Sequence, residues 1–271
     1  MNDLPPARRS LGQNFLIRAG AIQRIVESLD DDAGPPRVVE IGPGRGALTE
    51  PLIQAAGTIV AVEADKMLAA TLRERFGASL RLEEGDILRQ RFSDLFGRLE
   101  PTPGLRHVVG NLPYNISKPI AMMLVDQCDA VDRAVVMFQQ EVADRFLAGP
   151  GDSAYGPLTI LTGCLYRVRR LIELPPSAFR PRPRVHSTVV AWNRLGSSPF
   201  DDPTRRQRLK DCLRACFAQR RKTLRNNLRS SGRGVEQLDT LLKELDLSGD
   251  ERAESLAPEI FYAMAERWTQ P

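Results

Sequence analysis

Histidine is almost missing from this chain: His107 and His186 are the only two in 271 residues. The four cysteines, Cys128, Cys164, Cys212 and Cys216, contain no Cys-x-x-Cys pair. These scarcities argue against a structural zinc module and a disulfide framework, and they fit a reducing compartment. Cys212 and Cys216 lie four apart on an expected helix, as buried small apolar residues do. No apolar run approaches the ~20 residues that a membrane-spanning helix needs. The start, Met1-Asn2-Asp3-Leu4-Pro5-Pro6, has no apolar core. No secretory signal is therefore expected, and a cytoplasmic location is. The Gly-Lys-Ser/Thr of a P-loop is absent too. What is present, 42% hydrophobic and 27% charged residues, describes a soluble globular protein with one large domain and a smaller one.

The net charge of +4 is modest, but its distribution is not. Between Arg205 and Arg233 there are eleven Lys or Arg against one acid, Asp211, and between Glu236 and Glu254 the balance reverses. A charge run is usually a solvated face; an excess this local favours a polyanion partner. Charge alone does not say whether that partner is RNA, DNA or a membrane.

After the basic lead-in Arg8-Arg9-Ser10-Leu11-Gly12, a helix is expected around Ile22, Ile25, Val26 and Leu29, ended by the breaker 30–36. Arg37–Ile41 reads as a buried strand running into Gly42-Pro43-Gly44-Arg45-Gly46, with a helix from about Ala47. Strand, glycine loop and helix is a nucleotide-binding arrangement, although G-x-G-x-G is not the dinucleotide spacing. Glu40 stands at the strand tip, where it can hold a cationic or amino group. The next strand, 58–63, ends in Glu63, 21 residues past Gly42, where a carboxylate can accept ribose hydroxyls. A third, around Leu80-Arg81-Leu82, leads to Gly85-Asp86-Ile87, and Asp86 can accept an adenine amino group. Each acid alone is ordinary. Three at successive strand ends describe a ligand with ribose, adenine and an amino-acid-like tail but no phosphate. S-adenosylmethionine fits that description better than NAD does.

The fourth strand, 105–110, delivers Asn111-Leu112-Pro113-Tyr114 to the same sheet edge. An exocyclic amine on a flat base is a poor nucleophile, because its lone pair is delocalised into the ring. An Asn carbonyl and a neighbouring backbone carbonyl can each accept one N–H and free that pair. Pro113 has no N–H to compete and holds Leu112 extended. Tyr114 offers a face on which a base can stack. The bland alternative is an ordinary Asn-Pro turn.

Further along, 118–125, 140–148 and 157–163 read as helices, and 133–139, 165–173 and 188–192 as strands. Phe179, between the last two strands, either closes on the other face of a flipped adenine or anchors a proline-rich turn. Arg180, Arg182 and Arg184 alternate, so they can grip successive phosphates or simply be exposed. A linker at 195–199 precedes helices near 203–217, 222–230, 235–245 and 258–268.

Glu40-Ile41-Gly42-Pro43-Gly44, Glu63, Gly85-Asp86, Gly110–Ser117, Gly12–Leu16 and Pro175–Ser187 together resemble the ribosomal RNA adenine N6,N6-dimethyltransferase family, over nearly the whole chain. Phe217–Asn226 is similar to the bacterial small-subunit branch, more than to the antibiotic-resistance methylases acting on large-subunit RNA. The resemblance implies a Rossmann-like α/β fold: a seven-stranded class I S-adenosylmethionine-dependent methyltransferase domain over 1–195, then a small all-α, basic RNA-binding domain over 196–271. It implies that Gln13, Asn14, Leu16, Glu40, Gly42, Gly44, Glu63, Asp86, Ile87 and Asn111 line the cofactor. Asn111, Leu112, Pro113, Tyr114 and Phe179 would serve catalysis, and Arg180, Arg182, Arg184, Arg220, Arg221, Lys222 and Arg225 would hold RNA. The implied substrate is a pair of adjacent adenosines in a hairpin loop near the 3′ end of small-subunit rRNA in the immature 30S particle. The chain is expected to be monomeric, with no metal and no membrane partner. Three departures, Leu11 in place of an aromatic, Arg45 at the tip of the glycine loop and arginines at variable positions of the Phe179–Arg184 loop, bear on grip more than on chemistry. A DNA adenine methyltransferase and a non-catalytic RNA-binding assembly factor remain open as other readings.

Overall fold

The structure is a computed structural model that describes residues 13–30, 34–230 and 234–268; the expectations placed on Arg8–Gly12, including Leu11, lie outside them. The chain divides into two compact units, residues 1–143 with 168–194, and residues 144–167 with 195–271.

The first unit is built on a sheet. Strands β2 (Arg37–Ile41), β3 (Ile59–Glu63), β4 (Leu80–Glu84), β5 (Arg106–Asn111), β6 (Arg133–Gln139), β7 (Tyr166–Leu174) and β9 (Ser187–Arg194) are ordered β4-β3-β2-β5-β6-β9-β7. The five from β4 to β6 are parallel, and β9 runs antiparallel to β6. Val38, Val39, Ile59, Val60, Val108 and Val109 are wholly buried, as β-branched runs are when helices cover both faces of a parallel sheet. The order reverses between β2 and β5: β3 and β4 lie on one side of β2, and β5 and β6 on the other. Ligands of open α/β sheets bind beyond the strand ends at such a switch point. Register sets Ile41 beside Gly110, so the glycine loop and the Asn111 corner leave adjacent strands. A Cβ at Gly110 would stand 3.0 Å from the Ile41 carbonyl oxygen, so a larger residue would push the two strand ends apart slightly.

Two short strands, β1 (Phe15–Leu16) and β8 (Phe179–Arg180), form a separate antiparallel pair with Leu16 opposite Phe179. Ile17 extends the pairing by donating its N–H to the Ala178 carbonyl at 2.9 Å. Helices α1 (Ala19–Glu27), α2 (Thr49–Ala56), α3 (Lys66–Phe76), α4 (Phe92–Phe96) and α5 (Ser117–Asp126) connect the strands, and α6 (Gln140–Leu147) follows β6. Asp65 caps α3 by accepting from the Met67 amide at 3.0 Å.

The second unit holds α7 (Pro157–Gly163), α8 (Pro203–Cys216), α9 (Leu224–Arg229), α10 (Val235–Glu244) and α11 (Pro258–Glu266). Asp202 caps α8 and Pro203 opens it, a combination that fixes a helix start. Leu209, Cys212, Leu213 and Cys216 form its buried stripe, and α11 contributes Phe261, Met264 and Ala265 to the core. Cys212 and Cys216 are fully buried, as their spacing suggests. Segment 144–167, read from sequence with the sheet, groups with the helical unit; the Tyr155 hydroxyl donating to the Leu256 carbonyl at 2.9 Å is one tie.

Candidate active site

The carboxyl ends of β2, β3, β4 and β5 open into a cavity of about 380 Å³, within the roughly 300–1,000 Å³ usual for small-ligand sites. The residues expected to line a cofactor all line this one cavity: Gln13, Asn14, Leu16, Glu40, Gly42, Gly44, Glu63, Asp86, Ile87 and Asn111. So do Leu112, Pro113 and Tyr114. The sequence reading missed the apolar walls, Ile41, Ala47, Leu48, Val62, Ala64 and Ile116, and the rim residue Phe15. The signal for the apolar walls was available, because each lies within a few residues of a strand end already chosen; Phe15 is instead flanked by the expected residues Asn14 and Leu16.

The polar groups are largely fixed in place. The Gly42 amide donates to the Val62 carbonyl at 2.9 Å, the Gly44 amide to Glu63 Oε2 at 3.0 Å, and the Gly46 amide to the Pro43 carbonyl at 2.9 Å. Gly44 has φ +59°, and a Cβ there would meet the Phe15 ring at 2.9 Å, so no other residue fits both the turn and the ring. Glu63 also accepts from the Asp65 amide at 2.9 Å. Each of its oxygens keeps a second lone pair for a ribose hydroxyl. Burial raises its pKa, partly offset by those amides. Glu40 is buried with one oxygen accepting from the Thr49 hydroxyl at 2.7 Å. Burial pushes its pKa up to about 8, so its proton is held at neutral pH. Asp86 is exposed at the rim and uses one oxygen to cap the turn after β4, at 2.9 Å from the Leu88 amide.

Asn111 Nδ2 donates to the Asn14 carbonyl, 97 residues away, at 2.8 Å. That bond turns the side-chain Oδ1 away from β1 as an acceptor. The Pro113 carbonyl accepts the Ile116 amide at 3.2 Å and keeps one lone pair. The half-buried Tyr114 ring is tethered by its hydroxyl to Ser187 Oγ at 3.1 Å, and burial raises the phenol's pKa.

Phe179, expected in the catalytic set, stands apart from the other four. It is 1% exposed, packed in the core with Leu16 and Leu174, and does not line the cavity. The β1–β8 pairing sets it opposite Leu16, so in this structure it anchors the proline-rich turn and braces β1, which follows directly on Asn14. The three arginines that follow, Arg180, Arg182 and Arg184, are exposed. In the second unit, Arg220 pairs with Glu254 at 3.3 Å and Arg225 with Asp239, whereas Arg221 and Lys222 are exposed without an ion pair among the described residues. No cluster of three or more His, Cys, Asp or Glu suited to a metal occurs among the described residues, and no helix there is long and apolar enough to cross a membrane.

The donor set fits S-adenosylmethionine rather than a nucleotide polyphosphate. Three acids, Glu40, Glu63 and Asp86, line the cavity, and the amides of Gly42, Gly44 and Gly46, which could otherwise cradle phosphate, are already bonded. A seven-stranded sheet with this cavity at its switch point and an Asn-Leu-Pro-Tyr corner on its rim defines a class I methyltransferase. The family model described as ribosomal RNA adenine dimethylase matches residues 6–270, and the chain belongs to that family. It is 43% identical over 262 residues to the ribosomal RNA small subunit methyltransferase A of Acidobacterium capsulatum, covering 94% of this chain and 88% of that one. A dimethyladenosine transferase from Plasmodium falciparum superposes with a TM-score of 0.75 at 26% identity, over 92% of this chain and 95% of the other. The 23S rRNA methyltransferase ErmE, at TM-score 0.70 and 24% identity, covers 94% and 99% and shares the fold.

Proposed function

We propose that this chain transfers methyl groups from S-adenosylmethionine to N6 of two adjacent adenosines in the 3′-terminal hairpin loop of 16S rRNA. The products are N6,N6-dimethyladenosines, formed in the cytoplasm by a monomer acting on an immature 30S particle late in its assembly. The observation that carries the reading is the Asn111 amide, held at 2.8 Å by Asn14 beside the Pro113 carbonyl in the cavity.

When bound, S-adenosylmethionine supplies a methyl group already activated on a sulfonium sulfur. The protein's task is therefore position. The target base leaves its stack to enter the cavity and lies on Tyr114, whose tilt the Ser187 bond limits. Asn111 Oδ1 and the Pro113 carbonyl accept the two N6 hydrogens, so the nitrogen's lone pair turns out of the ring plane. Alignment of this kind can contribute several kcal/mol. In the second transfer N6 keeps one hydrogen, and one acceptor gives way to the first methyl group. The exposed Arg180, Arg182 and Arg184 hold backbone phosphates, as do Arg221 and Lys222; Arg220 and Arg225 reach RNA only by exchanging their carboxylate partners. Phe179 acts through β1 rather than by touching the base.

Replacing Asn111 with Ala is expected to lower methyl transfer to 30S particles at least ~100-fold while cofactor affinity stays within a few-fold. Near-normal transfer would sink the assignment. Transfer to duplex DNA but not to RNA would favour the DNA reading, and wild-type protein that binds particles without transfer would favour an assembly factor.

Glu40 supplies a second check. Its carboxyl is protonated below about pH 8, and an ammonium group bound there favours the charged form. Binding of S-adenosylhomocysteine at pH 7 should therefore release close to one proton, with release fading above pH 8. Calorimetry in buffers of different ionisation enthalpy measures this, and Glu40→Gln should abolish it.

A further inference from the structure

We propose that Arg45 binds the carboxylate of the cofactor's amino-acid tail and sets the cavity's preference for a nucleoside that carries one. This rests on reading the cavity as the S-adenosylmethionine site. Among the described residues lining the cavity, Arg45 is the one basic side chain, against Glu40, Glu63 and Asp86. The tail of S-adenosylmethionine carries an ammonium and a carboxylate. The acids suit the ammonium and repel the carboxylate, which cannot be buried without a donor or a cation. The loop does not offer one at its glycines, since the amides of Gly42, Gly44 and Gly46 donate to Val62, Glu63 and Pro43.

Arg45 is placed to fill that gap. Its guanidinium carbon lies 4.5 Å from the centroid of the Phe15 ring. A guanidinium stacked on a ring engages its face and keeps its N–H groups in plane, where two can meet a carboxylate in parallel. The stack is braced. Phe15 is 8% exposed and lies against Gly44, and Arg75 Nη1 donates to the Arg45 carbonyl at 3.3 Å. Arg45 is itself half-buried, so water screens its charge less than it would at the open surface. The residue would therefore serve twice, packing on Phe15 of β1 and supplying the lining with its positive charge.

The test is calorimetric and needs no turnover. S-adenosylhomocysteine, and the thioether that keeps the same nucleoside and aminopropyl chain but lacks the carboxylate, are titrated into wild-type protein, Arg45→Leu and Arg45→Lys. Arg45→Leu should weaken S-adenosylhomocysteine roughly tenfold or more, as loss of a charge-assisted hydrogen bond does. It should leave the decarboxylated ligand unchanged or slightly tighter, because a cation near its ammonium has gone. Arg45→Lys should fall between. Equal weakening of both ligands would mean that Arg45 acts only by holding Phe15, and no weakening would place the carboxylate elsewhere; either result overturns the proposal. Failure of wild-type protein to bind either ligand would overturn the cofactor reading itself, a different outcome from any pattern among the variants.

Discussion

Between Arg205 and Arg229 the chain carries ten basic residues; between Arg180 and Arg184 it carries three. By count the first stretch is the stronger polyanion site. The structure reverses much of that ranking. Arg205 pairs with Glu266, Arg214 with Asp211, Arg220 with Glu254 and Arg225 with Asp239. Arg206 is buried and donates to the Phe200 and Asp201 carbonyls. Two of those acids, Asp239 and Glu254, lie in the stretch where the linear charge balance reverses, so that reversal is in part the other half of the same set of pairs. Arg180, Arg182 and Arg184 are exposed and make no ion pair among the described residues. A run of charge thus predicts a binding face only after its internal partners are subtracted.

Replacing Arg180, Arg182 and Arg184 together with Ala should produce the largest effect. Affinity for an rRNA hairpin should fall on the order of 100-fold at low salt, and the salt dependence should flatten by roughly 0.7–0.9 for each phosphate that no longer meets a cation. The matched triple Arg205→Ala, Arg214→Ala and Arg225→Ala should cost less than about tenfold. Fluorescence anisotropy across a salt series measures both, and equal losses would break the comparison. Next in size, Arg206→Leu should destabilise the second unit by about 2 kcal/mol through two abandoned carbonyls, with RNA affinity unchanged. Chemical denaturation followed in parallel with anisotropy separates the two. Smallest, Asp239→Asn should change stability by less than about 1 kcal/mol, as an exposed pair does, and should tighten RNA slightly by releasing Arg225. A loss of RNA affinity would show that the pair positions Arg225 for binding instead.

The elements legible in the sequence were those decided locally. Arg37–Ile41 and Arg133–Gln139 form strands over the residues the apolar runs mark, and 157–163 forms a helix where Pro157 opens one. The cavity-lining residues were legible because sheet topology alone brings strand ends together; knowing that Glu40, Glu63, Asp86 and Asn111 stand at strand ends is nearly enough to place them in one cavity. What stayed hidden was settled by neighbours distant in sequence. Two-residue strands such as Phe15–Leu16 and Phe179–Arg180 have no periodicity to read, so the pairing that buries Phe179 was not visible, although a buried anchor was one of its two readings. Nor was the grouping of 144–167 with the helices, nor the seating of Arg45 on the Phe15 ring.

The bonded amides of the glycine loop have a consequence for competition inside a cell. ATP and its relatives share the adenosine half of the expected cofactor and are abundant wherever ribosomes are made. A loop that offered its Gly42, Gly44 and Gly46 donors to di- and triphosphates would be clogged by them. Here those hydrogens are turned inward to Val62, Glu63 and Pro43, and the buried carboxyls of Glu40 and Glu63 form part of the lining. A polyphosphate entering the cavity would thus meet committed amides and carboxyl groups, which disfavours the commonest adenine nucleotides against a phosphate-free ligand.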